Sequence, residues 1–351
     1  MNVPPRATGD AAPPAGEAEL EERLARPSAA VVEALRQCPG DVIVLGAGGK
    51  MGPSLVRMAL RASTELGDGR QVIAVARWSN PAARAALSAD GARVIAADLE
   101  STADVAALPD APNVVYLAGQ KFGTTDAPER TWALNTIVPG TCAERFPDSR
   151  WVAFSTGNVY PRTPVRGPHS REGDTLAPVG AYAESCVERE RVLTRASAAH
   201  GTPMAIVRLN YAVDLRYGVL VDIARRVRDG EPVDVTMGWV NVIWQGDANR
   251  MALRLLAHAA APPLVVNVTG PERLSVRELA EHAGARFGIA ADIRGNEAPD
   301  ALLGDTARLQ SLLGLPGVNA RLLMEWVASW LERRMPLLGK PTQFEVRDGR
   351  Y

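Results

Sequence analysis

Six short stretches of the chain are apolar almost without interruption: "DVIVLGA" (41–47), "QVIAVAR" (71–77), "ARVIAAD" (92–98), "NVVYLAG" (113–119), "WVAFSTG" (151–157) and "PMAIVRLN" (203–210). Runs with no polar face predict strands buried on both sides, as in a parallel sheet. Between them, apolar residues recur at helical spacing. Helices are predicted after Lys50, over 80–90, over about 126–146, and around Tyr182. Strands and helices alternating every roughly 20–40 residues predict an α/β fold, a doubly wound parallel sheet of Rossmann type with right-handed crossovers.

The pattern also divides the chain. Residues 40–210 carry most of the alternation, and 211–337 are assigned mainly to a smaller C-terminal substrate-binding lobe with elements returning to the sheet. Residues 1–39 form an extension. Its Pro- and Ala-rich start (1–16) is expected to be disordered, and a helix is expected over 17–36. "NARLLMEWVASWLERR" is an amphipathic helix whose stripe, with Trp326 and Trp330, suits core or dimer packing. The tail 338–351 suggests no element.

Composition narrows the function. The formal net charge is −1, which gives no reason to expect nucleic acid or an anionic membrane as partner. No apolar run approaches membrane-spanning length, and the N-terminus lacks the form of a secretory signal. Cys38, Cys142 and Cys186 form no pair, and four scattered histidines offer no metal spacing. A cytoplasmic protein without a bound metal is expected. Only Lys50, Lys121 and Lys340 are lysines, against 36 arginines, so each lysine deserves its own question.

"GAGGKMG" (46–52) stands between the first strand and the first helix, with Gly46, Gly49 and Gly52 spaced G-x-x-G-x-x-G. Such a loop brings backbone N–H groups and a helix N-terminus against a pyrophosphate, so a dinucleotide is expected over Gly46, Gly49, Lys50, Met51 and Gly52. The second strand ends in Ala76 and Arg77, where an NAD site usually has an acid. An arginine there pairs with a 2′-phosphate, and Lys50 stands near enough in sequence to assist, so NADP is favoured over NAD.

The order of these motifs resembles the extended short-chain dehydrogenase/reductases, in particular the NAD-dependent epimerase/dehydratase family, over about 41–335. "ADL" (97–99) resembles the segment whose Asp98 reaches adenine beside Leu99, and "VVYLAG" the strand that puts Leu117, Ala118 and Gly119 along the cofactor. "LNTIVPGT" resembles the helix whose Asn135 braces the site, and "FSTGNVYP" the strand carrying the catalytic hydroxyl, here Thr156. "YAESCVERE" resembles the Y-x-x-S-K-x-x-x-E helix of Tyr182, with Cys186 where the family has lysine. The resemblance implies Tyr182 as acid or base, also touching the cofactor, Thr156 on the same substrate oxygen, and a homodimer.

The missing lysine leaves three accounts open. An oxidoreductase or epimerase/dehydratase persists, helped by Lys121; or a non-redox isomerase or lyase keeps a structural dinucleotide; or the chain senses NADP(H) without turnover. The resemblance implies a sugar, sugar acid or nucleotide sugar as substrate. Lys121, Phe122, Asn210, Tyr211 and Trp239 are the candidate contacts.

Overall fold

All six predicted strands form, and a seventh joins them. In the computed structural model, which describes residues 11–121 and 128–350, they are β1 (Val42–Leu45), β2 (Val72–Ala76), β3 (Arg93–Ala96), β4 (Asn113–Tyr116), β5 (Arg150–Thr156), β6 (Met204–Leu209) and β7 (Leu264–Val268). They make one sheet in the order β7-β6-β5-β4-β1-β2-β3, parallel throughout. The order reverses between β1 and β4, the place where an open α/β sheet offers a crevice at its carboxyl edge.

Period-two alternation sorts the strand residues between two cores. Val42 and Val44 face one side with Val72, Ala74 and Val152; Ile43 and Leu45 face the other with Ile73, Val75, Val114 and Trp151. The first side is covered by α2 (Ala29–Gln37), α3 (Gly52–Leu66) and, further along, the helix Gln245–Leu255. The predicted helix over 17–36 is two helices, α1 (Glu17–Leu24) and α2, with Pro27 between them and Ser28 capping the second. Residues 11–16, the end of the stretch expected to be disordered, make contacts with later elements. Ala11 and Ala12 offer carbonyls to Trp326 and Arg23.

A third core gathers Leu20, Leu24, Val219, Leu220, Ile223, Trp244, Trp326, Trp330 and Phe344. It joins α1 to parts of the chain beyond α4 (Ala181–His200), chiefly α5 (Val219–Arg228) and α6 (Ala320–Glu332). Trp326 and Trp330 are therefore core, the first of the two uses expected for them, each burying area worth about 3 kcal/mol or more on removal. Among the described residues no helix is long and apolar enough to cross a membrane, and no cluster of His, Cys, Asp and Glu is arranged to hold a metal.

Candidate active site

The glycine loop turns where the chain has no room for side chains. Gly46 has φ of 91°, and a Cβ there would lie 2.6 Å from the Ala118 nitrogen. A Cβ on Gly52 would lie 2.2 Å from the Ala47 carbonyl oxygen, so α3 starts hard against the strand. Gly49 differs, since only the Gly46 carbonyl oxygen stands within 4 Å of a Cβ built on it. It faces open space, the space in which a pyrophosphate would approach the loop.

Two cavities meet there. One, of about 370 Å³, is lined by Ala76, Arg77, Trp78, Asn80, Asp98 and Leu99; the other, of about 330 Å³, holds Lys50, Met51, Lys121, Tyr182, Arg189 and Tyr211. Both include Gly46, Gly49, Leu117, Ala118 and Gly119. A bipartite cleft with a glycine bridge fits a dinucleotide, whose two halves meet at the pyrophosphate. Arg77 is exposed and lies 3.5 Å from Glu100, which shares its charge. Trp78, with a left-handed backbone, floors this end and donates from its indole to the Ile95 carbonyl at 2.8 Å. Lys50 is on the opposite side from the one expected for 2′-phosphate: its ammonium donates to the Ala212 carbonyl at 2.9 Å and stands 4.0 Å over the Tyr217 ring.

Tyr182 opens α4, and the helix carries Ser185, Cys186 and Arg189 on the same face, three, four and seven residues on. Thr156, at the end of β5, and the Cys186 thiol stand close enough to the Tyr182 hydroxyl to act on its ionisation, and the Thr156 hydroxyl also accepts from the Asn158 backbone N–H at 3.2 Å. Burial pushes the Tyr182 pKa far above the ordinary tyrosine value; the Cys186 neighbour adds to this, while Arg189 and Thr156 oppose it. Cys186 is fully buried against Val159, Tyr160 and Val187, and burial raises its own pKa, so it packs rather than reacts.

Two cations stand near the absent lysine. Lys121, following β4, places its ammonium 6.0 Å from the Tyr182 ring centroid and donates to the Thr342 carbonyl at 3.5 Å. Burial lowers its pKa to about 8. Arg189 is buried, donates to the Phe154 carbonyl at 2.9 Å, and bonds the Asn135 side-chain oxygen. Asn135 sits on a π-helical turn (Ala133–Ile137) and also bonds Gln120 and Ser185, tying the β4 exit to α4. Its contacts make it a brace. Ser155 and Arg208 both engage Glu190, a buried network behind Thr156.

Not every expected contact gathers here. Tyr211 lines the cavity, but the Asn210 amide is spent on Asn241 and the Leu302 carbonyl. Trp239 lies under Arg273 beside a separate small core and does not line the cavity. Phe122 lies outside the described residues. Arg189, Tyr217 and Thr342 line the cavity without having been singled out from the sequence. For Arg189 the signal was available, since seven residues make two helical turns from Tyr182. Thr342 carries no such signal.

The profile described as "NAD dependent epimerase/dehydratase family" matches residues 42–269. Among the solved structures, the dTDP-glucose 4,6-dehydratase DesIV from Streptomyces venezuelae, with NAD bound, superposes with a TM-score of 0.71 at 21% identity, covering 84% of this chain and 98% of that one. MoeE5, in complex with UDP-glucose and NAD, gives a TM-score of 0.66 at 23% identity over 84% of this chain and 99% of that one. The UDP-glucose 4-epimerase from Thermotoga maritima gives 0.69 at 17% identity, over 84% and 99%. No curated protein matches the chain by sequence.

Proposed function

Because the chain belongs to the NAD-dependent epimerase/dehydratase family, we propose that it performs dinucleotide-dependent oxidoreductase or epimerase chemistry on a sugar-like hydroxyl or carbonyl, with Tyr182 as acid and base. The observation that carries this reading is Tyr182, with Thr156 beside it, in a cleft that continues over the glycine loop, Tyr182 itself lining the cavity. When bound, the dinucleotide supplies a hydride acceptor or donor. Tyr182 holds or releases the proton of the reacting substrate oxygen, and Thr156 hydrogen-bonds the same oxygen. Gly46, Gly49, Met51 and Gly52 would hold the pyrophosphate, Leu117, Ala118 and Gly119 the ring face, and Asp98 with Leu99 the adenine.

A tyrosine whose ionisation is opposed by burial gives up its proton only beside positive charge. Arg189 and Lys121 supply that charge in place of a lysine at 186, from one helical turn further on and from the β4 loop. At rest Tyr182 is neutral and ready to donate a proton to a carbonyl. In the oxidising direction the cations stabilise its phenolate. Asn135 holds Arg189 and the loop before Lys121 in place.

NAD is the cofactor of the family's name, and an arginine in place of an acid at Arg77 inclines this chain towards NADP as well. A homodimer through the face of the tyrosine helix belongs to the same reading. Ile137, on the neighbouring π turn, is the most exposed large apolar residue among those described, at 67%. Sedimentation velocity checks it: a monomer at micromolar concentration removes the dimer. For the chemistry, Tyr182→Phe is expected to keep dinucleotide binding and lose turnover. Full activity in that variant makes the assigned base wrong.

A further inference from the structure

The C-terminal residues 336–350 run from the lobe across to the tyrosine helix. Phe344 is buried in the lobe core. The Thr342 backbone nitrogen and hydroxyl donate to the Asp222 carboxylate of α5 at 2.7 and 2.6 Å, while its carbonyl accepts from Lys121. Glu345 pairs with Arg226 at 2.6 Å, Arg347 pairs with Asp300, and Arg162 donates to the Arg347 carbonyl at 2.7 Å. At its end the strap touches the residue before α4. A Cβ on Gly180 would stand 2.5 Å from the Gly349 carbonyl oxygen. The segment therefore ties the lobe to the β4 exit and to the start of the tyrosine helix, with Thr342 in the cavity wall.

That wall limits what fits. The cavity of about 330 Å³ lies at the low end of the range, roughly 300–1,000 Å³, typical of small-molecule sites. Under the reading above it takes the nicotinamide end of the cofactor as well as the substrate. Little space is left for a second nucleotide with its diphosphate.

Charge narrows the substrate further. Lys50 lines the cavity, and among the described residues no carboxylate lies within ion-pairing distance of its ammonium. The nearest acids are engaged elsewhere, Asp214 by Arg216 and Asp222 by Thr342. Burial lowers the Lys50 pKa to about 7, with Asp214 and Asp222 opposing the shift, and an anion seated against its ammonium in this acid-free cavity holds the charge in place.

We propose that the cavity takes a small hydroxy- or keto-acid of sugar type, without an attached nucleotide, its carboxylate on Lys50 and the 336–350 strap closing over it. This rests on the dinucleotide reading and narrows that reading to a substrate class. The reacting oxygen sits at Tyr182 and Thr156, while Lys50 fixes the other end of the molecule.

With only three lysines, the test is direct. Protein labelled with ¹³C at the lysine Cε gives three signals, assigned with Lys50→Arg and Lys121→Arg. Calorimetry first establishes NAD and NADP binding; no binding removes the dinucleotide reading and this proposal with it. The dinucleotide complex is then titrated with D-glycerate, D-gluconate, D-glucuronate and UDP-glucuronate. At least one free acid is expected to shift the Lys50 signal saturably, and Lys50→Met to weaken that acid about tenfold or more, the loss of a charge-assisted hydrogen bond. UDP-glucuronate is expected to leave the signal in place. If it moves Lys50 at lower concentration than every free acid, or if no free acid moves it, the proposal is overturned while the dinucleotide reading stands.

Discussion

The cavity beside Arg77 is walled mainly around the ends of β1 to β4, where glycines and alanines stand beside Arg77, Trp78 and Leu99, whereas the cavity with Tyr182 collects polar side chains from six separate parts of the chain. The first needs glycine, alanine and a turn at fixed spacing. The second needs Lys50 from the glycine loop, Lys121 from the β4 exit, Ser155 from β5, Arg189 from α4, Tyr217 from the lobe and Thr342 from the strap. A binding surface made of backbone tolerates change in most side chains, while a reacting site made of buried charges depends on each one. Position 186 is a cysteine, and the charge around Tyr182 comes from other elements.

The largest effect expected from breaking this contrast is on chemistry alone. Tyr182→Phe should lower kcat by about 10²–10⁴, the usual worth of a positioned acid or base. Dinucleotide affinity, measured by calorimetry, should stay within about twofold because that end is built by other residues. A parallel loss of both shows that the two cavities are not separable. The converse change is Gly52→Val, whose side chain meets the Ala47 carbonyl. It should cost on the order of 1–3 kcal/mol in thermal or denaturant unfolding and weaken dinucleotide binding at the same time.

Arg189→Met tests whether the buried guanidinium serves both structure and site. It removes the Arg189 donor from the Phe154 carbonyl and leaves the Asn135 oxygen with the Gln120 N–H alone, expected to cost about 1–3 kcal/mol of stability. It should also raise the pH at which the oxidising reaction gains its tyrosinate, a change that a structural role alone leaves absent.

The strand-and-helix alternation, the glycine loop and the tyrosine helix were legible because each rests on local spacing: apolar runs, G-x-x-G-x-x-G, and Tyr182 placed ahead of Glu190. The seventh strand, Leu264–Val268, is a short run directly after Pro262 and Pro263, and these prolines hide it as a strand although the helix Gln245–Leu255 stands ahead of it. Lys50 shows the limit of sequence proximity. It neighbours the phosphate loop, yet its stem carries the charge across to Ala212, 162 positions away. The strap was not legible at all, because its partners, Asp222, Arg162 and Gly180, are related to it only through the fold.

Lys121 gives a smaller and pH-dependent effect. Its pKa is held down to about 8 by burial, so its ammonium is present below that pH and lost as pH rises through it. If that charge assists Tyr182, kcat/KM for oxidation should stop rising, or fall, above about pH 8, and Lys121→Met should remove this feature while lowering the rate at pH 7. An unchanged profile in the variant assigns the whole charge to Arg189. The smallest expected effect belongs to Arg77→Ala. Because Arg77 is exposed and shares Glu100, NADP should weaken relative to NAD by about tenfold at most, as read by calorimetry at low salt.

The central claim, that Tyr182 moves a proton in a dinucleotide-dependent reaction without a lysine at 186, is tested most directly by single-turnover absorbance of the reduced nicotinamide. The enzyme, saturated with oxidised cofactor, is mixed with whichever acid shifts Lys50. The account predicts a burst of reduced cofactor in the wild type and none in Tyr182→Phe, with cofactor binding equal in both. A burst of equal rate in Tyr182→Phe would contradict it.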